Sequence, residues 1–252
     1  MTLLKPADAQ SLRDAVAWAA EASQPIELLA LVFEGQRATS TSEATRRALA
    51  LAINRPAICA VLLQRQGEPA SALLPHWLSG YGSLFATSYS GASARALGTS
   101  LPADQRTLAL RVEPTDPVSQ SVAERIAVDG REAGITIKVE PAGTLAPRPD
   151  VRLIRVMLSP TSPERALARL LADLGPRITA LLTPDPPPGP GAALEAVYQF
   201  ERALVEHHII VPIVHIPELY GIGAQVESWN GPIVLPSGAW DLASVWIRAD
   251  KP

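Results

Sequence analysis

Cysteine is almost missing from this chain, and that scarcity is the first thing it states. Its one cysteine, Cys59, excludes an internal disulfide. Cys59 follows Pro56 in an apolar stretch and reads as a small buried core residue, since a reactive thiol needs an exposed electropositive setting. Lysine is scarce too, with only Lys5, Lys138 and Lys251 among 22 basic residues. The positive charge is therefore arginine, spread along the chain rather than clustered. A formal net charge of −3 gives no case for nucleic acid or an anionic membrane surface as partner. No run approaches the roughly eighteen uninterrupted apolar residues that a membrane span needs. The N-terminus has no basic region leading into an apolar core and a small-residue cleavage site.

Chemistry is equally sparse. The sequence has no GxSxG elbow, P-loop, HExxH or CxxC. No glycine run opens a helix after a strand, so a nucleotide cofactor is not expected. Glu206, His207, His208 and His215 come closest to a metal set. Adjacent histidines on a helix end point about 100° apart and do not chelate as a pair, and zinc-ligand spacings are absent. Neither metal, cofactor nor catalytic residue is therefore expected. Glu218 and Tyr220 alternate in an extended segment and could face either a cleft or a half-buried strand surface.

The stretch 46–81, RRALALAINRPAICAVLLQRQGEPASALLPHWLSGY, organises the rest. Ser40 and Glu43 are spaced as a capping box, and Ala48, Leu49, Ala52 and Ile53 recur on one helical face. Asn54 can end that helix and cap the next, with Pro56 in its first turn. Gly67, Pro69 and Pro75 punctuate a loop. Trp77 and Tyr81 on that loop could clamp a ligand or pack the loop onto its own domain.

Along the chain, 7–22 reads as a helix and the apolar run 26–33 as a strand covered on both faces. A short helix is expected near 92–97. Residues 107–112, 117–133 and 135–140 form a βαβ unit, with Asp116 as N-cap and Gly134 as terminator, so its strands should be parallel. A strand at 151–158 and a helix started by Ser162 and Pro163 follow. The proline-rich 183–191 reads as a stiff surface connector. A helix at 192–206 should turn Leu194, Val197, Tyr198 and Leu204 inward. Residues 209–226 are extended, and Pro212 and Pro217 disfavour a central strand and argue for edge segments or breaks. Trp229, Trp240 and Trp246 lie in a turn-rich tail.

The pattern in 46–81 resembles the second large lobe of bacterial ABC-transporter solute-binding proteins of family 5, the peptide/nickel, oligopeptide-binding type. The resemblance is carried by Arg47, Ala48, Leu49, Ala52, Ile53, Arg55, Ala57 and Ile58, then Gly67, Pro69, Ala70, Leu74, Pro75, Gly80 and Tyr81. It runs more weakly from about 26 to 246. Asn54 stands where the family usually has Asp. Leu158, Ser159, Pro160 and Thr161 stand where it often has a ligand-facing Trp and Asp.

This resemblance implies an α/β fold, a mixed sheet flanked by helices, as one lobe of a periplasmic-binding-protein-like (type II, cluster C) architecture. It implies a lead-in from a first lobe over 1–25, the solute-binding lobe over 26–226 and a tail over 227–252 packing back on it. The implied function is non-catalytic capture of a peptide or similar small oligomer between two lobes, outside the cytoplasm. Implied partners are the membrane subunits of an ABC importer and the first lobe. Implied ligand contacts are Phe33, Glu34, Trp77, Tyr81, Arg155, Ser159 and Thr161. A protein-interaction module derived from such a lobe, or a small hydrolase, are the rival readings.

Overall fold

The computed structural model describes residues 2–4, 6–11, 18–34, 42–86, 89–143, 149–158, 161–176, 178, 186–227, 242–243 and 245–248. The chain begins with β1 (Thr2–Leu4), α1 (Pro6–Ser11) and the long β2 (Trp18–Phe33). Then come α2 (Glu43–Ala52), α3 (Arg55–Ala57) running into a π-helical turn at Ile58–Leu62, β3 (Glu68–Pro69) and α4 (His76–Ser79). α5 (Gly91–Ser100), β4 (Thr107–Val112), α6 (Pro117–Glu132), β5 (Thr136–Pro141) and β6 (Val151–Met157) form the middle. α7 (Pro163–Leu174), α8 (Leu194–Glu206), β7 (Ile210–Gly223), β8 (Val226–Glu227) and β9 (Trp246–Ile247) complete it.

A mixed sheet runs in the order β1-β7-β2-β6-β4-β5, with β3 also paired to β7. β4 is parallel to β5 and β6, as the βαβ reading requires; the other pairings of this sheet are antiparallel. β8 and β9 form a separate antiparallel pair. Helices cover both faces. Leu29, Leu31 and Phe33 of β2 enter one core with α2, the π-helical turn and α6. Leu28, Ala30 and Val32 enter the other with Tyr81, α7 and α8. Period-two alternation thus explains the continuous apolar run of β2, because both of its faces are covered.

Local chemistry sets the helix ends. Asn54 Oδ1 accepts from the Ala57 N–H at 3.0 Å, and its own N–H donates to Asp129 Oδ2 at 2.9 Å, tying the α2–α3 junction to α6. Gly134, after α6, adopts φ +81°, the left-handed conformation expected of a terminating glycine. Cys59 is buried, and burial pushes its thiol up to about 12.

Four expectations need correction. The N-terminal helix is described over Pro6–Ser11, and Trp18 to Ala22 are strand rather than helix; residues 12–17 lie outside the described residues. Pairing with β7 outweighs the helix preference of the alanines, a weak bias when tertiary partners compete. Ser42 rather than Ser40 caps α2, its Oγ accepting from Thr45 N–H at 3.4 Å; Ser40 lies outside the described residues. Leu194 is half exposed at the start of α8, while Val197 and Leu204 are buried. Finally, β7 lies inside the sheet rather than at its edge, and of the two alternatives its prolines mark breaks. Its prolines sit at irregularities: Pro217 faces Pro25 between two register shifts, and Pro212 pairs with Ala30 beside a third. A bulge removes the ladder bond that proline could not make.

Trp229, Trp240 and residues 183–185 of the proline-rich connector also fall outside the described residues.

Candidate functional site

Unequal strand lengths open a notch in the sheet. β4 pairs with β6 only at Leu110↔Val151 and Arg111↔Arg152. It ends at Val112, and the chain turns into α6, while β6 continues to Met157 beside β2. Residues 153–157 of β6 therefore have β2 on one side and no described strand on the other. The space left is a cleft of about 630 Å³. It lies beyond the C-terminal end of β4 and against the first turn of α6, the place where α/β sheets bind ligands.

Arg155 is the centre of this cleft. Its Nη2 and Nε donate to Glu27 Oε2 at 2.5 and 2.9 Å, and its Nη1 reaches Asp116 Oδ2 at 3.3 Å. Asp116 is fixed in turn by capping α6. Its Oδ1 accepts from the N–H groups of Val118 and Ser119 at 3.0 and 3.3 Å, and Ser119 Oγ donates to its Oδ2 at 2.6 Å. Burial alone would raise the Asp116 pKa, but the Ser119 bonds and Arg155 outweigh it and hold the carboxyl below its ordinary value. At Glu27 burial wins over Arg155, and the pKa is raised. Arg152, on the same strand, pairs with Glu34, and Arg111, Glu113 and Asp173 complete the charged lining. The cleft thus presents both signs of charge, most of it engaged in pairs that a ligand's own charges can enter or replace.

The structure scatters the residues expected to contact a ligand. Arg155 stands in the cleft, and Glu34 joins it through Arg152. Phe33 is 1% exposed and belongs to a core. Tyr81 is also enclosed; its hydroxyl donates to Glu201 Oε2 at 2.7 Å, and its ring packs edge-on against Tyr198. Trp77 is part-exposed, with Nε1 donating to Pro25 O at 2.8 Å, which ties the loop to β2. Thr161 is exposed on the turn before α7, and Ser159 lies outside the described residues.

Glu27, Asp116 and Arg152 were not foreseen in this role. Two of them carried a signal. Glu27 is the lone charge in the apolar run 26–33, and Asp116 is the N-cap that follows a parallel strand.

Residues 2–171 match the bacterial extracellular solute-binding proteins, family 5 Middle. The chain belongs to this family. Comparison with curated proteins gives no match. Solved structures of similar fold include the ABC transporter substrate-binding protein CtaP of Listeria monocytogenes. It has a TM-score of 0.74 and 15% identity, over 98% of this chain and 55% of that one. NikA of Brucella suis, in complex with Fe(III)-EDTA, aligns at 0.72 and 18% identity, over 97% and 56%. A dipeptide-binding protein of Pseudoalteromonas, in complex with Met-Leu, aligns at 0.71 and 18% identity, over 97% and 53%. At these identities the likeness is one of fold. This family 5 chain spans about half the length of each of them. Among its described residues no helix is long and apolar enough to cross a membrane.

Proposed function

We propose that the Glu27–Arg155–Asp116 cleft captures a small zwitterionic solute, such as a short peptide, for an ABC importer, without chemical change to the solute. One observation carries this reading. In an open notch at strand ends, a guanidinium bridges two carboxylates and can exchange either partner for a charged end of the ligand. Family membership gives solute binding as the general task. The mixed charge of the lining favours a ligand bearing both signs over a purely apolar one.

In this account residues 26–226 are the solute-binding lobe and the ligand is shared with a second lobe. Closure is favoured because the bound solute touches both sides. Capture takes place outside the cytoplasm, and the loaded protein delivers to the importer's membrane subunits.

Amide NMR mapping tests the site. On titration of the full chain with free dipeptides, the amides that shift should cluster at Glu27, Asp116, Ser119 and residues 152–157. Shifts confined to surfaces away from this notch, or cleavage of the peptide, would contradict the reading.

A further inference from the structure

A second cavity, of about 170 Å³, shares the Glu27–Arg155 pair with the solute cleft and extends from it toward β7 and β1 instead of toward β4 and α7. The break in the β2–β7 ladder places it. Pro25 faces Pro217 with a register shift on either side, and the Glu218 N–H donates to Ser23 Oγ at 3.0 Å. Leu4 of β1, Val118 in the first turn of α6, and Ile216, Pro217 and Leu219 of β7 give the cavity apolar walls. Pockets for whole ligands measure roughly 300–1,000 Å³. This one is a fraction of that and suits a single side chain.

Two carboxylates line it, and each has one oxygen anchored and one free. Glu27 Oε2 accepts both of its bonds from Arg155. Glu218 Oε2 accepts from the Tyr220 hydroxyl. Burial and the bond to Glu218 raise the Tyr220 pKa, so that hydroxyl keeps its proton and stays a donor. Among the described residues neither Oε1 has a hydrogen-bond partner, and neither is sealed from solvent. Among the described residues Arg155 is also the only cation in the lining, and Glu27 and Asp116 already engage it. Glu218 and Asp116 both act on Glu27 as like charges. Three carboxylates therefore surround one guanidinium, and a further cation entering the cavity relieves their repulsion and gains charge-assisted hydrogen bonds. An aliphatic stem on the apolar walls with a charged tip at the two free oxygens matches both kinds of lining.

We propose that this cavity is a side-chain subsite of the solute cleft that selects a cationic side chain, the ammonium of a lysine or the guanidinium of an arginine, held by the Glu27 and Glu218 carboxylates. The proposal rests on the solute-capture reading and narrows its ligands to basic peptides. The backbone charges of the solute are met in the cleft at Arg155 and Asp116. Its side chain passes the Glu27–Arg155 pair and lies along Leu4, Val118 and Leu219. Glu218, which takes no part in the Arg155 pairs, sets the preference.

The test titrates the full chain with dipeptides that pair alanine with lysine, norleucine or glutamate, in both orders. Norleucine keeps the lysine stem and lacks its ammonium. In the better-bound order the lysine peptide should bind at least about tenfold tighter than its norleucine counterpart, with glutamate weakest. Glu218→Gln keeps the shape and an oxygen for the Tyr220 hydroxyl, and should cut the lysine-over-norleucine ratio to about threefold or less while staying folded by circular dichroism. A second readout needs no variant: in the parent chain the amides of Leu4, Glu218 and Leu219 should shift with the lysine peptide. Equal affinity for lysine and norleucine, an unchanged ratio in folded Glu218→Gln, or still amides at those three residues overturns the subsite while leaving solute capture standing. Failure of every dipeptide to bind overturns solute capture, and the subsite with it.

Discussion

Leu73 is gripped from both sides of its peptide group. Its N–H and that of Leu74 donate to Glu201 Oε1 at 2.6 and 3.0 Å, and its C=O accepts from His215 Nε2 at 3.1 Å. Both side chains are almost fully buried, and burial moves each pKa toward its neutral form. Glu201 rises from 4.5 to about 7, because burial outweighs the three bonds that favour its anion. His215 falls from 6.5 to about 4, because burial outweighs its bond to Leu73. The two then act on stability in opposite directions. Folded Glu201 holds its proton more tightly than the unfolded chain does. Its contribution is complete below pH 4.5 and is lost as pH rises through about 7. Folded His215 refuses a proton, so its contribution is complete above pH 6.5 and is lost as pH falls through about 4. Each amounts to about 3 kcal/mol. Across pH 4.5 to 6.5 they should nearly cancel. Urea unfolding of Glu201→Gln should show stability rising with pH over that window, and His215→Asn should show it falling. Parallel curves for the two variants would contradict this. None of the pairing was legible in the sequence. His215 reads as one strand histidine and Glu201 as one helix carboxylate, and their common target is 142 and 128 residues away in the chain, respectively. Arg155, by contrast, is singled out by the sequence and lines the cleft, while Phe33 and Tyr81 lie in the two cores, and a large aromatic looks the same in sequence whether it faces a ligand or a core.

Elements were legible where period and punctuation agreed. The βαβ unit from β4 to β5 follows from an alternating strand, an Asp-Pro cap, apolar residues four apart and a terminal glycine, and it forms as expected. The N-terminal half of β2 was not legible. Its small and polar residues carry no strand alternation, and their conformation is imposed by β7, nearly two hundred residues later. β7 hid its central place behind two prolines, because register shifts are invisible without knowledge of the partner strand. Close packing of elements is similarly silent. A Cβ on Gly98 of α5 would lie 1.8 Å from Ala133 O, at the end of α6. Gly98→Ala must therefore push the two helices apart and should cost about 2 kcal/mol. Gly189 has nothing within 4 Å of its Cβ position, and Gly189→Ala should be neutral or slightly stabilising. Thermal melts of the two variants check this; equal Tm values would contradict the close contact.

At the scale of the molecule, the two helical layers and the mixed sheet serve one geometric result. β4 is shorter than the reach of β6, and the notch left between them collects charge. The family, and with it the lobe architecture, was readable from the 46–81 stretch, yet that stretch lies in the frame and supplies no charge to the cleft. The cleft's charged residues come instead from β2, β4, β6 and the segment joining β4 to α6, and α7 adds Asp173. Such a surface, made of paired charges in partial contact with water, should bind a zwitterion less well as salt rises. Arg155→Ala is the direct probe of this surface. Its side chain is one-third exposed, so its ion pairs add little to folding, about 1 kcal/mol or less. The measurement that bears most directly on solute capture is calorimetric titration of a free dipeptide, and the same dipeptide blocked at both ends, into the parent chain and Arg155→Ala. The account predicts saturable heat for the free dipeptide with the parent, affinity about tenfold weaker for the blocked form (about 1.4 kcal/mol), and loss of binding in the folded variant. Equal affinity for both peptides, binding untouched by Arg155→Ala, or no binding to the parent would contradict it.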